Sequence, residues 1–505
     1  MGLLVMAMRP ALPSLAGRTD TVALAESEGR ATQLGRSLAP LEYAHPELSG
    51  IHALADPHDA FAARILLAAA AERTLDVQYY IWRNDITGTL MFEALHKAAD
   101  RGVRVRLLLD DNNTSGLDPV LAALDSHPNI EVRLFNPFVL RWPRWAGFAT
   151  DFSRLNRRMH NKSFIADNQA TIIGGRNVGD EYFGATQDVL FTDLDVLAVG
   201  PVVRDASADF DAYWRSDSSY PVERVLKLGH PEGLSDVSML ALASEAQPAA
   251  AKYLRALRES RLVQNMFEGD LPMQWARAKM VSDDPAKGLG DLPRESLLTY
   301  GLQSILGEPE RQVDLISPYF VPGEAGVELL SAWARAGIQI KVLTNSLEAT
   351  DVSAVHAGYA KRREDLLKAG IKLYEMRRAS SDADRNRTGA GPFGSSGSSL
   401  HAKTFSVDLE RIFVGSFNFD PRSAHLNTEL GFVIDSPVLA AQMDEAFFTE
   451  IPASSYEVRL DEDGSLYWLE TRGGSLIRHA AEPGTRWYKR AWVVFLSWLP
   501  IEWLL

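Results

Sequence analysis

Apolar and polar positions fall into two helix-and-strand series that follow the same order. In the first, Asp59–Arg73 (DAFAARILLAAAAER) has an Ala/Leu-rich apolar face behind an early Asp, which predicts a helix. Leu75–Trp82 (LDVQYYIW) predicts a buried strand and Gly88–Gly102 (GTLMFEALHKAADRG) an amphipathic helix stopped by glycine. Val103–Asp111 (VRVRLLLDD) and, after another helix, Asn129–Phe135 (NIEVRLF) predict further strands. The second series begins with Arg311–Pro322 (RQVDLISPYFVP), continues with Gly326–Asn345 (GVELLSAWARAGIQIKVLTN) and closes with Gly370–Met376 (GIKLYEM). Strands alternating with helices define an α/β class with a largely parallel or mixed sheet covered on both faces. The whole domain is therefore duplicated. Two such halves pack most naturally about a pseudo-twofold axis, with equivalent residues meeting at their interface.

This pattern divides the chain into five parts. Residues 1–45 read as a weak leader of poor order, 46–228 as the first domain and 229–295 as a bridging segment, with a strand expected over Met273–Val281. Residues 296–450 form the second domain, and 451–505 a hairpin turning at Asp463-Gly464 followed by a Trp-rich tail.

The chemistry lies in a stretch that occurs once in each half. Met159–Gly184 reads MHNKSFIADNQATIIGGRNVGDEYFG, and Leu400–Ser423 reads LHAKTFSVDLERIFVGSFNFDPRS. The shared columns are His160/His401, Lys162/Lys403, Asp167/Asp408, Gly174/Gly415, Gly175/Ser416 and Asn177/Asn418. In a strand, His-x-Lys points both side chains to one face. Neutral imidazole is a nucleophile, imidazolium is an acid for a departing alkoxide, and Lys steadies charge on phosphoryl oxygens. Two copies thus form a kit for transfer at a phosphodiester, in which one His attacks and the other protonates the leaving group. Downstream, Phe191–Gly200 aligns with Asn427–Asp435 and pairs Asp193 with Glu429, either as carboxylates that orient the imidazoles or as surface acids at a strand edge. Asn177, Ser416 and Asn418 either donate to phosphate oxygens or cap a turn. Asp167 and Asp408 suit a turn or salt bridge rather than catalysis, and Gly174, Gly175 and Gly415 suit close packing.

Composition narrows the choices. The net charge is −14, which disfavours a nonspecific grip on nucleic acid. With no cysteine there is no disulfide, thiolate metal site or Cys nucleophile, and no acid/His cluster with metal-ligand spacing stands out.

The duplicated HxKxxxxD, with GG or GS and Asn downstream, resembles the phospholipase D superfamily over roughly Pro46 to Ala453. LDVQYYIW, GVRVRLLLDD, LNRRMHNKSFIADNQATIIGGRNVGDEYF, SPYFVPGE, TNSLEATDVSAVHAGY and VGSFNFDPRS are similar to bacterial cardiolipin synthases of the C type. The resemblance implies two phospholipase D-like domains with the active site at their interface. It further implies transfer of a phosphatidyl group from phosphatidylethanolamine or phosphatidylglycerol to phosphatidylglycerol through a phosphohistidine. By analogy, His160 is the nucleophile and His401 the acid/base. Ser416, Asn418 and Glu429 fall at the offsets used for phosphate contacts and the His-orienting acid, whereas Gly175 departs from Ser416, so the half-sites are not equivalent. The implied partners are phospholipids and a membrane surface, with no cofactor, no metal and no nucleic acid; neither a partner protein nor an oligomeric state is specified. A hydrolase using water, a nuclease and a catalytically silent membrane scaffold are the competing readings.

Two segments suit a lipid surface. Arg486–Leu505 combines Trp487, Trp492, Trp498 and Trp503 with Arg486, Lys489 and Arg490, and its uncharged run from Ala491 to Ile501 is too short to span a bilayer. It reads as an interfacial anchor at the bacterial inner membrane, peripheral or monotopic, or else as a docked terminal helix. Phe135–Arg158, with Trp142 and Trp145 beside Arg141 and Arg144, is a second such surface or a buried interdomain loop. Gly389–Ser399 is expected to be a flexible loop able to gate the site, and His356 either contacts the acceptor or is structural.

Overall fold

Strands buried on both faces need layers on either side, and here two mixed sheets share one core while helices cover the opposite face. The computed structural model describes residues 11–186, 190–226, 248–268, 271–378, 399–500 and 502–505. The nine-stranded first sheet runs, edge to edge, Gln274–Ala276, Ser49–Leu54, Asp195–Val199, Ala170–Gly174, Ser163–Ala166, Thr74–Ile81, Arg104–Asn113, Ile130–Phe135 and Ser219–Pro221. The ten-stranded second sheet follows a matching order through Ala278–Ser282, Leu430–Asp435, Arg411–Gly415, Thr404–Val407, Gln312–Ile316, Gln339–Asn345 and Lys372–Met376, and ends with Ser455–Leu460, Leu466–Arg472 and Ser475–His479. In each sheet three central strands are parallel and the remainder antiparallel. Ile165, Ile173 and Val196 of one sheet meet Ile316, Ile412, Val414 and Ile434 of the other in a shared core.

The duplication extends to buried charge. Arg106 on the first sheet binds Asp76 at 2.6 Å and Asp211 at 2.8 Å, and Lys341 on the second binds Asp314 at 3.1 Å and also Asp444. Each cation is compensated from its own sheet and from a helix, Pro201–Arg215 or Pro437–Ala446, as burial of charge demands.

The stretch expected as one strand, Met273–Val281, is two. Gln274–Ala276 pairs with Ser49–Leu54 and Ala278–Ser282 with Leu430–Asp435, so the chain crosses from sheet to sheet at Arg277. The hairpin appears as Ser455–Leu460 and Leu466–Arg472, and it joins the second sheet through Lys372–Met376. The N-terminal segment departs from the expectation of poor order. Helices cover Glu26–Arg30 and Gln33–Ala44, while Arg106 donates to Thr21 O at 2.7 Å and Arg133 to Thr19 O at 2.7 Å. Arginines of the first sheet recruit these carbonyls, which requires no periodicity and so leaves no pattern to read. Residues 1–10 and the Gly/Ser stretch up to residue 398 lie outside the described residues.

Asp167 and Asp408 sit in hairpin turns with positive φ of 52° and 58° and accept backbone N–H groups ahead of the first strand of each repeat. Asp167 takes those of Glu72, Arg73 and Thr74, and Asp408 those of Glu310, Arg311 and Gln312, at 2.7–3.2 Å. Removing Asp408 strands these donors. Asp408→Ala is expected to lower unfolding free energy by about 1–3 kcal/mol, with urea denaturation as the check and little change in the active-site geometry.

Candidate active site

The cleft opens where the parallel strands of both sheets end. Its lining includes Tyr80, His160, Asn177 and Tyr182 from the first repeat and Tyr319, His401, Asn418 and Arg422 from the second, around about 720 Å³.

His-x-Lys is not within a strand. Both copies lie in extended segments just before Ser163–Ala166 and Thr404–Val407, because the backbone there leaves its own sheet to bond across the interface. His160 N donates to Thr428 O at 2.9 Å, and His401 N to Thr192 O at 2.7 Å. Each threonine precedes the acid of the other repeat, so the pairing that anchors the histidine also delivers the carboxylate. His160 Nδ1 bonds Glu429 Oε2 at 2.8 Å, and His401 Nδ1 bonds Asp193 Oδ2 at 2.6 Å. The acids are exchanged between repeats, as a twofold relation allows. With Nδ1 donating to a carboxylate, Nε2 of each ring is left for the cleft. Tyr80 stands edge-on to His160 with centroids 4.9 Å apart, and Tyr182 to His401 at 5.2 Å.

The departure at Gly175 has a steric cause. A Cβ there would lie 2.1 Å from Asp193 Oδ1, which instead accepts from Leu194 N at 2.8 Å. In the other half-site the longer Glu429 leaves room for Ser416, whose hydroxyl donates to Glu429 at 2.5 Å and accepts from Leu430 N at 3.0 Å. Ser416 is fully buried and directed at Glu429, so the expected phosphate contact from its hydroxyl is not what the structure places there. Gly174 and Gly415 are required by close approach, a Cβ on either falling 2.3 Å from Asp195 Oδ1 or Leu430 O. Asn177 and Asn418 do line the cleft; Asn177 Oδ1 accepts from Ile81 N at 3.1 Å, and its buried Nδ2 is without a protein partner among the described residues.

The electrostatics divide the half-sites further. Burial pulls His160 well below the usual imidazole range, with Lys162 and Lys403 adding to the effect. Burial also lowers His401, but Asp193 opposes it. Burial alone would raise Asp193, yet His401 and then Lys403 outweigh it and hold this carboxyl well below its ordinary range. Glu429, by contrast, is pushed up to about 7 by burial. Burial lowers Lys162 and brings Lys403 down to about 8. A bound phosphate anion favours the protonated ammonium. Above pH 8 the free protein progressively loses the Lys403 charge, so kcat/KM is expected to fall by up to about tenfold per pH unit there. A pH–rate profile from pH 6 to 10 checks this, and Lys403→Arg should move that fall to higher pH.

Residues flanking the centre were not singled out by pattern. Asp110 holds Arg158 at 2.7 Å and Met159 N at 2.8 Å, and so fixes the chain entering His160. Asp283, in the bridging segment, accepts from Glu429 N at 2.9 Å and from Lys287 Nζ at 2.9 Å. Tyr80 and Asp110 lay inside stretches legible only as strands.

Elsewhere, Trp142 is 86% and Trp145 73% exposed, while Arg141 and Arg144 are engaged by Asp111 and Asp118 rather than free for head groups. Trp487–Ser497 is a helix that buries Val493 against Leu347 and Ala357, leaving Trp487, Trp492 and Trp498 exposed, as is Trp503 beyond it. Among the described residues no helix is long and apolar enough to cross a membrane. His356 is buried on Glu482 at 3.1 Å and does not line the cleft. Among the described residues, His96, Asp100 and His127 are close enough to share an ion, at the far end of the parallel strands. His127 Nδ1 accepts from Asn129 N at 3.1 Å, which puts the ring proton on the Nε2 facing Asp100, an arrangement suited to a hydrogen bond rather than a metal.

Two repeats that share one cleft and exchange acids across it define a phospholipase D-like transferase architecture. Residues 65–214 and 302–450 match the family model described as "Cardiolipin synthase, PLD-like domain". The chain belongs to this family. It is 50% identical over 476 residues to cardiolipin synthase C of Escherichia coli K12, covering 94% of this chain and 100% of the relative. A cardiolipin synthase of Clostridium perfringens SM101 is 26% identical, covering 84% of this chain and 74% of its own. The crystal structure of phosphatidylserine synthase from Haemophilus influenzae Rd KW20 shares the fold, with a TM-score of 0.54 and 13% identity over 83% of this chain and 92% of that one.

Proposed function

We propose that this protein is a cardiolipin synthase that transfers a phosphatidyl group from phosphatidylethanolamine or phosphatidylglycerol to the glycerol hydroxyl of phosphatidylglycerol. The observation that carries the chemistry is the pair of imidazoles in one cleft, each oriented by the other repeat's acid. The choice of lipid comes from the relatives.

The unequal electrostatics favour a division of labour. His160, beside a carboxyl raised to about 7, is the better neutral nucleophile, and His401, beside an ionised Asp193, the better imidazolium. His160 Nε2 attacks phosphorus, and the donor's head-group oxygen leaves with the proton of His401. The acceptor hydroxyl then gives its proton to His401 and attacks phosphorus as the bond to His160 breaks. Lys162, Lys403, Asn177 and Asn418 hold the phosphoryl oxygens, while Ser416 acts through Glu429.

The exposed tryptophans support a peripheral or monotopic seat on the bacterial inner membrane, with Trp142, Trp145, Trp487, Trp492, Trp498 and Trp503 in the head-group layer. The deciding experiment is product analysis on liposomes of phosphatidylglycerol with and without phosphatidylethanolamine. Cardiolipin from wild type but not His401→Ala supports the synthase; phosphatidic acid as sole product would instead make water the acceptor.

A further inference from the structure

We propose that Arg422 is the acceptor-phosphate site, binding the phosphodiester of the second phospholipid while its free hydroxyl reaches the His160 centre. This rests on the synthase reading, which requires two lipid phosphates in one cleft, separated by a single glycerol. Lys162 and Lys403 serve the phosphate being transferred, and a chain carrying −14 net charge needs a separate cation for the other.

Arg422 lines the same cleft as His160 and His401, on the short helix Pro421–His425. Its guanidinium donates from Nε to Leu504 O at 2.9 Å, from Nη1 to Asn156 O at 3.1 Å and from Nη2 to Asn156 Oδ1 at 2.8 Å. All three acceptors are neutral. Arginine has five N–H donors, so two remain, and among the described residues no carboxylate lies within ion-pair distance of it. Asp420, two residues earlier and in the same cleft lining, attracts Arg422 electrostatically but forms no ion pair with it and instead caps the helix through Ser423 N at 2.7 Å. Other buried arginines of this chain are matched: Arg64 with Asp195, Arg106 with Asp76, Arg158 with Asp110 and Arg363 with Glu482. A half-buried cation whose side-chain hydrogen bonds all go to neutral oxygens, and whose pKa burial pulls down despite the opposing pull of Tyr80 and Asp420, has no ion-pair partner of its own. The other arginines of the cleft fit less well, since Arg83 is held by Glu181 at 3.1 Å and Arg378 is exposed.

Position favours the acceptor over the donor. Arg422 reaches back to Asn156, just ahead of His160, and the carbonyl of Leu504 and a main-chain oxygen of the last residue, Leu505, which accepts from Arg422 N at 2.8 Å, bring the Trp-bearing tail to the same edge of the cleft. A second lipid drawn from a membrane held by that tail would find Arg422 between the tail and the segment that leads into His160.

The test uses the full chain in mixed micelles, with phosphatidylethanolamine as donor and phosphatidylglycerol varied as acceptor. Ethanolamine release and cardiolipin formation are followed together. Arg422→Gln is expected to raise the KM for phosphatidylglycerol roughly 10- to 100-fold, the loss of a charge-assisted contact, and Arg422→Lys to recover much of it. The cardiolipin to phosphatidic acid ratio should fall in parallel, because water needs no phosphate site. Wild-type acceptor KM in Arg422→Gln would overturn the assignment, as would ethanolamine release falling in step with cardiolipin without lysine rescue. Phosphatidic acid as sole product of the wild type would overturn the synthase reading and the acceptor site with it.

Discussion

Replacing His160 with alanine is expected to reduce lipid turnover by about 10⁴- to 10⁶-fold, because in the proposed mechanism both half-reactions pass through its Nε2. In the proposed mechanism His401 gives up a proton in the first step and cannot attack in its place, and its Nδ1 is bound to Asp193 as that of His160 is to Glu429. His401→Ala should fail differently. With a donor whose leaving group departs without protonation, such as a nitrophenyl phosphodiester, the first step proceeds and the second stalls. Mass spectrometry of the peptide spanning Met159–Lys162 should then show the phosphatidyl adduct on His160. An adduct on His401 in the reciprocal His160→Ala variant would reverse the assignment. A variant lacking His160 that still turned over lipid would overturn the phosphohistidine mechanism altogether.

The second large effect belongs to Asp193→Asn, with an expected loss of about 10²- to 10⁴-fold for donors with alkoxide leaving groups. Asp193 is held ionised by His401 and Lys403, and in return it opposes the burial that lowers His401. Without that charge the imidazolium is lost at a lower pH, so the alkaline limb of activity should move toward acid. The nitrophenyl donor, which needs no proton, should recover much of the first-step rate. Equal losses with both donors would mean that Asp193 holds the backbone in place rather than the proton.

Much of the architecture was legible because it is written twice. Thr74–Ile81 and Gln312–Ile316 emerge from apolar runs of matching order, and the columns from His160/His401 to Asn177/Asn418 align without gaps. What stayed hidden depends on contact between distant segments. Nothing in the spacing of His160 and Asp193 says that Asp193 serves His401, because the pairing is made by Thr192 and Thr428 across the interface. The offset of Ser416 from His401 implies a phosphate contact by resemblance, yet spacing along an extended segment does not reveal what fills the space beside Glu429. The leader appeared shapeless because its carbonyls, rather than an apolar stripe, secure it to Arg106 and Arg133.

The exchange of acids has a further consequence for how such a centre can specialise. Two identical chains meeting on a twofold would be obliged to give both histidines the same carboxylate and the same neighbour. Here the halves are covalently joined, and the pairs Gly175 with Asp193 and Ser416 with Glu429 are each sterically matched but chemically different. Linking the repeats in one chain releases the centre from enforced symmetry, so one imidazole can be tuned to attack and the other to carry a proton. Neither half retains a complete histidine–acid pair by itself, so separating the domains would dismantle both functions at once.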